Sequence, residues 1–219
     1  AGAVTLYGGG ALDLGSGGSV FGDAAAGGTL TNLNDTISGD GRIGGDGAAL
    51  QLVNRAGGVI DASGPNGLAI ATGATVINNG LFEATHPGGG LAIDDAVYNS
   101  GTIFADGAAV HLFGALTGTG KVEIGGGGTA TLGAASSNSV EFAGAGELVL
   151  NQSAGLTGRI VGFGADDAVD LADFAAAYTA ITKIAGTGAA GTLTLVTLTD
   201  ADPSLAQATS ATLRLFNQF

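Results

Sequence analysis

The sequence predicts an all-β fold, a single-stranded parallel β-helix (β-solenoid) closed by a C-terminal β-hairpin-like cap. Three observations predict it. A glycine-led block recurs about every twenty residues, short β-prone runs fill the space between blocks, and the apolar residues suit a thin core. A period near twenty is the mark of a stack in which each repeat is one rung.

The blocks read Gly41-Arg42-Ile43, Gly58-Val59-Ile60, Gly80-Leu81-Phe82, Gly101-Thr102-Ile103 and Gly120-Lys121-Val122, at steps of 17, 22, 21 and 19 residues. Gly41, Gly58, Gly80, Gly101 and Gly120 are assigned to turns, where a glycine supplies the positive φ of a sharp corner. Three blocks follow an apolar–Asn pair: Val53-Asn54, Ile77-Asn78 and Tyr98-Asn99. Asn54, Asn78 and Asn99 hold similar places. They either stack as a ladder of amides along the axis or each cap their own turn, and neither option implies catalysis.

Composition narrows the class. Glycine supplies 43 of 219 residues, yet no three-residue period appears and there are only 3 prolines, so collagen is excluded. With 45% apolar and 11% charged residues the chain is too hydrophobic for disorder. Aromatic residues make up 5% and Trp is absent, which argues against a thick globular core. There is no Cys to form a disulfide. A net charge of −13 repels nucleic acid and anionic lipid, so neither is an expected partner. No apolar run approaches the roughly 18 residues of a membrane span, so no insertion by this segment is expected. The opening Ala1-Gly2-Ala3-Val4 carries no signal-peptide pattern and reads as part of something longer.

Residues 1–28 offer short runs, Val4–Tyr7 and Ala11–Leu14, set off by Gly9-Gly10 and Gly15–Gly18. From 29 to 125 the repeats are clearest. Leu68–Ile70, Thr75–Ile77 and Leu81–Glu83 are followed in the same order by Leu91–Ile93, Ala96–Tyr98 and Thr102–Phe104. Three strands and three turns in about twenty residues make one coil. The coil is expected to be right-handed, because the rungs vary in length and follow no hexapeptide rule. About eight to ten rungs are expected.

Beyond 126 the phrasing changes but strands continue through Val169-Asp170-Leu171. Residues 171–185 are Ala-rich and read as a short helix or a loop. Leu193–Leu198 and Ala211–Phe216, split by Asp200-Ala201-Asp202-Pro203, read as a hairpin that closes the stack. Residues 1–170 are therefore assigned to rungs and 171–219 to a modified capping segment of the same domain.

Two stretches carry a family resemblance. Val76-Ile77-Asn78-Asn79-Gly80-Leu81-Phe82-Glu83-Ala84 and Tyr98-Asn99-Ser100-Gly101-Thr102-Ile103-Phe104-Ala105 resemble the N-x-G-x-I-x-A rungs of bacterial autotransporter and filamentous-haemagglutinin-like adhesins. Residues 131–167, with Gly158-Arg159-Ile160 and Gly162-Phe163-Gly164-Ala165-Asp166-Asp167, are similar to a repeat of very large secreted surface proteins of alphaproteobacteria. The final Ala211–Phe216 resembles that repeat's last strand. The resemblance implies an exported, cell-surface β-solenoid segment used in attachment or biofilm-matrix building, and it carries over no catalytic residue.

Asp166, Asp167 and Asp170, with Asp173, form the densest carboxylate group. Gly162-Phe163-Gly164-Ala165-Asp166 matches the centre of a calcium nonapeptide, but Val161 replaces its first glycine and only one partial copy exists. No cofactor is expected; calcium there is the one alternative.

Asp61 and Glu83 fall one repeat apart, next to Phe104 in the following rung. That spacing suits a glycosidase or polysaccharide-lyase pair on a β-helix, and equally suits solubilising charge. His86 and His111, 25 residues apart, supply too few ligands for a transition metal. The pairs Thr29-x-Thr31, Thr129-x-Thr131, Thr192-x-Thr194 and Thr197-x-Thr199 do not recur at the rung spacing, so no ice-matching lattice is expected. The expected function is non-catalytic: a stiff rod for surface attachment, matrix building or self-assembly. Its expected partners are further copies of itself or surface glycans, and a carbohydrate-active enzyme is the alternative.

Overall fold

A computed structural model describes residues 2–174, 179–183, 193–200 and 209–216. The chain winds as a three-sided parallel β-solenoid. The first rung is β1 (Gly2–Leu6), β2 (Ala11–Asp13) and β3 (Gly18–Val20), and the second is β4 (Gly28–Asn32), β5 (Thr36–Ser38) and β6 (Gly41–Gly44). The third comprises β7 (Leu50–Asn54), β8 (Val59–Ala62) and β9 (Leu68–Ala71), the fourth β10 (Val76–Asn78), β11 (Leu81–Ala84) and β12 (Gly90–Ile93). The fifth comprises β13 (Val97–Asn99), β14 (Thr102–Asp106) and β15 (Ala109–Leu112), the sixth β16 (Leu116–Thr117), β17 (Lys121–Gly125) and β18 (Gly128–Leu132).

Later rungs thin out on one side. Ser136 and Leu156 keep only single bridges to the first sheet. The second and third sides of rungs seven and eight are β19 (Ser139–Phe142) with β20 (Gly146–Leu150), then β21 (Ile160–Val161) with β22 (Ala168–Leu171). Like strands pair in register to make sheet A (β1-β4-β7-β10-β13-β16), sheet B and sheet C, and sheet C takes one strand from each of eight rungs.

Alternation explains the burial. In β9, Leu68 and Ile70 point inward and are buried while Ala69 and Ala71 face out. Stacking then lines up equivalent residues, as in the column Ile37, Ile60, Phe82, Ile103, Val122, Val140 and Ile160 on sheet B. Every member is fully buried. One rung cannot enclose such side chains alone; the next rung, roughly 4.8 Å away, supplies their neighbours. The rung step on sheet B shortens along the stack. Thr36, Val59, Leu81, Thr102, Lys121 and Ser139 are mutual register partners, at steps of 23, 22, 21, 19 and 18 residues.

The end of the chain departs from the rung pattern. Sheet B is extended beyond β21 by β25 (Thr209–Phe216), which runs parallel to it. β24 (Leu193–Asp200) pairs antiparallel to β25, and β23 (Thr179–Lys183) antiparallel to β24. The stretch 171–185, expected as a helix or loop, thus contains a strand, because an open sheet edge outweighs alanine's helix preference. Residues 175–178 and 184–185 of that stretch lie outside the described residues, as do Ala201-Asp202-Pro203 of the expected turn.

Candidate functional site

Sheet B carries the densest row of charge among the described strands. Its outward register column runs Ser38, Asp61, Glu83, Phe104, Glu123, Glu141 and Val161. Asp61 and Glu83 are therefore direct cross-strand neighbours, with Phe104 on the far side of Glu83. Asp61 Oδ1 accepts a hydrogen bond from Thr85 Oγ1 at 2.8 Å. Glu83 is held above the ordinary glutamate range, chiefly by burial and then by the negative charges of Asp61 and Asp106.

Further along, Lys121 Nζ lies 2.6 Å from Glu123 Oε2 and 2.8 Å from Glu141 Oε2. Hydrogen bonds to Glu123 and Glu141 hold the ammonium above its usual range, against a smaller opposing effect of burial. The lysine offsets the repulsion of two carboxylates set opposite each other in register. Beside this column an open groove of about 510 Å³ passes Gly58, Gly80 and Gly101 to reach Phe104 and Lys121.

The groove has a steric origin. Gly58, Gly80, Gly101 and Gly120 each precede a sheet B strand, but none has positive φ, contrary to expectation. They are glycine because the corner is crowded. A Cβ on Gly80 would meet the carbonyl oxygens of Arg55 and Gly58, one on Gly101 the carbonyl of Gly80, and one on Gly120 the carbonyl of Gly101. Gly41 belongs elsewhere. It opens β6 on sheet C, opposite Gly18, so the first step of 17 residues joins two different corners.

Behind the glycine corner the buried asparagines form one chain of amides. Asn32 Nδ2 donates to Asn54 Oδ1 at 3.0 Å, Asn54 to Asn78 at 2.9 Å, Asn78 to Asn99 at 2.8 Å and Asn99 to Asn138 at 2.7 Å. All five are fully buried. The amides of Asn32, Asn54, Asn78 and Asn99 also serve their own corners. Asn54 Nδ2 reaches the carbonyls of Gly58 and Leu81, and Gly101 N donates to Asn99 Oδ1 at 3.2 Å. In these four, laddering and turn capping are done by the same side chain.

Asn32 and Asn138 escape the apolar–Asn pattern because Thr31 and Ser137 precede them. The position before the asparagine faces outward and accepts polar residues. An inward apolar residue two places earlier, as in Leu30-x-Asn32, Leu52-x-Asn54, Val76-x-Asn78 and Val97-x-Asn99, recovers Asn32, but Asn138 escapes this signal too because Ser136 stands at that place.

The remaining candidates are dispersed. Asp167 Oδ2 accepts Gly164 N at 2.7 Å, closing its own turn, while its Oδ1 has no partner among the described residues. Asp170 sits on β22 in register with Val149, and Asp166 is exposed. Among the described residues no three of His, Cys, Asp or Glu come together to hold a metal ion. Asp173 instead accepts from Ser153 N and Oγ at 2.9 and 3.0 Å, tying the eighth rung to the 3₁₀ turn before it. His86 Nδ1 accepts Gly88 N within its turn, and His111 stacks on Phe113 at 6.1 Å.

No protein-family model, curated protein or solved structure matches this chain.

Proposed function

We propose that the chain is a non-catalytic structural or adhesive segment of a secreted or cell-surface bacterial protein. In that role it acts as a stiff rod for attachment, matrix building or self-assembly. The observation that carries this reading is the asparagine chain from Asn32 to Asn138, which joins rungs two to five in succession and then reaches past rung six to rung seven by direct side-chain bonds inside a continuous apolar core. Such satisfied buried networks resist deformation, since opening any rung strands buried donors and acceptors. The resemblance to adhesin rungs supports the surface location.

The test is immunogold labelling of intact producing bacteria, with purified chain as competitor in an attachment assay. Surface label and lost attachment support the reading; label confined to the cell interior overturns it.

A second reading has one observation in its favour. Asp61 and Glu83 are side by side, and burial with the charges of Asp61 and Asp106 shifts the Glu83 carboxyl upward, the direction a general acid requires. Glycan turnover abolished by both Asp61→Asn and Glu83→Gln would establish a carbohydrate-active enzyme in place of the rod.

A further inference from the structure

The two ends of the stack are finished differently. Beyond β21, sheet B is continued by β25, β24 and β23. At the other end β1, β2 and β3 are the edge strands of sheets A, B and C, each paired on one side among the described residues.

The inward columns break off at that edge. Val4 heads the column of Leu30, Leu52, Val76, Val97 and Leu116. Those five are at most 4% exposed, whereas Val4 is 57% exposed. Leu12 heads Ile37 and Ile60, and Val20 heads Ile43 and Ile70. Both are only partly buried where the residues behind them are fully buried. Between Val4, Leu12, Val20 and Phe21 a cavity of about 220 Å³ opens into the end of the core and reaches Leu30.

A second observation comes from the corner before sheet B. Gly10 holds there the place that Gly58, Gly80, Gly101 and Gly120 hold in rungs three to six; Asp35 stands there in rung two. In each of those four later rungs a Cβ would collide with atoms of the rung in front. A Cβ on Gly10 would meet nothing, and its φ is not positive. Gly10 thus has the glycine of a covered corner without the cover.

From this placement we infer that one further coil of the same kind covers the first rung, supplied by polypeptide on the amino-terminal side of Gly2. Its strands run parallel to β1, β2 and β3, about 4.8 Å away, and set apolar side chains over Val4, Leu12 and Val20. Connectivity selects the source. Each sheet A strand is entered from the sheet C strand of the rung before, as β6 leads into β7 and β9 into β10. Chain that enters β1 by the same route arrives at the rim of the open end. Docking in one chain also avoids the entropy cost of association and the repulsion between two molecules of charge −13. The inference lengthens the rod of the proposed function but rests on the fold alone, so its failure leaves the surface rod standing.

Two measurements test it. The first asks whether the end accepts a coil, using a tandem copy of residues 2–27 placed ahead of Gly2 as the probe. Amide hydrogen exchange in β1, β2 and β3 should slow by about tenfold or more in the extended chain, with β9 unchanged. Val4→Asp should barely move the urea midpoint of the 219-residue chain and should clearly lower that of the extended one. Unchanged exchange in β1–β3, or an equal effect of Val4→Asp in both chains, overturns the inference.

The second asks for the source. Mass spectrometry of the protein isolated from producing cells should find residues ahead of Ala1, with apolar residues at every second place in strand-length runs. A native chain that starts at Ala1 overturns the inference. Protection of β1–β3 that rises with the concentration of the 219-residue chain alone also overturns it, and assigns the open end to a second copy.

Discussion

Asn99 donates its side-chain amide to Asn138 Oδ1 at 2.7 Å across a rung whose ladder position is held by Gly118. Tyr98 pairs with Thr117, so Gly118 follows in the place of an asparagine. It adopts φ +103, and a Cβ there would strike the backbone of Asn99. The missing side chain leaves space for Asn138, whose own Nδ2 donates to Gly118 O at 3.0 Å. The ladder is continuous through the gap.

Restoring the repeat at that point should therefore do harm. Gly118→Asn, which a consensus view would expect to stabilise, should destabilise by about 1–3 kcal/mol, from the positive φ and the collision with Asn99. The midpoint of urea unfolding measures it, and a gain in stability would refute the bridged ladder.

Interrupting the ladder from within should cost more. Asn78 accepts from Asn54 Nδ2 and Gly80 N, and donates to Asn99 Oδ1 and to Thr102 O at 3.1 Å. Asn78→Ala strands these buried partners together, for an expected loss of about 2–5 kcal/mol in chemical unfolding. A loss under about 1 kcal/mol would mean that water or relaxation replaces the network.

Gly101→Ala separates steric crowding from turn conformation. Its φ is not positive, so a corner argument alone predicts tolerance. The collision with Gly80 O predicts a clear fall in melting temperature, comparable to Gly80→Ala and larger than alanine at Gly127, where a Cβ would meet nothing despite φ +82.

Glu83 links stability to pH. Its carboxyl is raised above 4.5 in the folded chain, chiefly by burial and then by Asp61 and Asp106. The protonated form is the one the fold favours. Its contribution is fully present below the unfolded value and is lost as pH rises through the raised folded value. Glu83→Gln should accordingly melt higher than the parent at neutral pH, with the difference closing as pH falls below 4.5. Equal melting at both pH values would show that the neighbouring charges are fully screened.

Much of this was legible in the chain because rung closure repeats the same steric demands. Gly80, Gly101 and Gly120 recur since each stacks on the carbonyl of a preceding turn, Gly58 since a Cβ would meet the Asn54 and Asn32 amides, and Asn54, Asn78 and Asn99 recur since each serves one corner and its neighbour. Legibility stopped where the demand was met by different residues. Gly41 shares the Gly-x-Ile phrase but answers to Gly18 at another corner. Gly118 substitutes for an asparagine by having no side chain at all. The strand in Thr179–Lys183 depends on a partner more than ten residues away, which local propensity does not register.

The buried amide ladder is tested most directly by solvent exchange of the asparagine side-chain amides, followed by NMR. Asn32, Asn54, Asn78, Asn99 and Asn138 should give protected NH₂ signals that outlast those of the exposed Asn34 and Asn151 and disappear together on unfolding. Exchange of the five at the rate of Asn34 and Asn151, or loss of each independently of the others, would contradict a continuous spine.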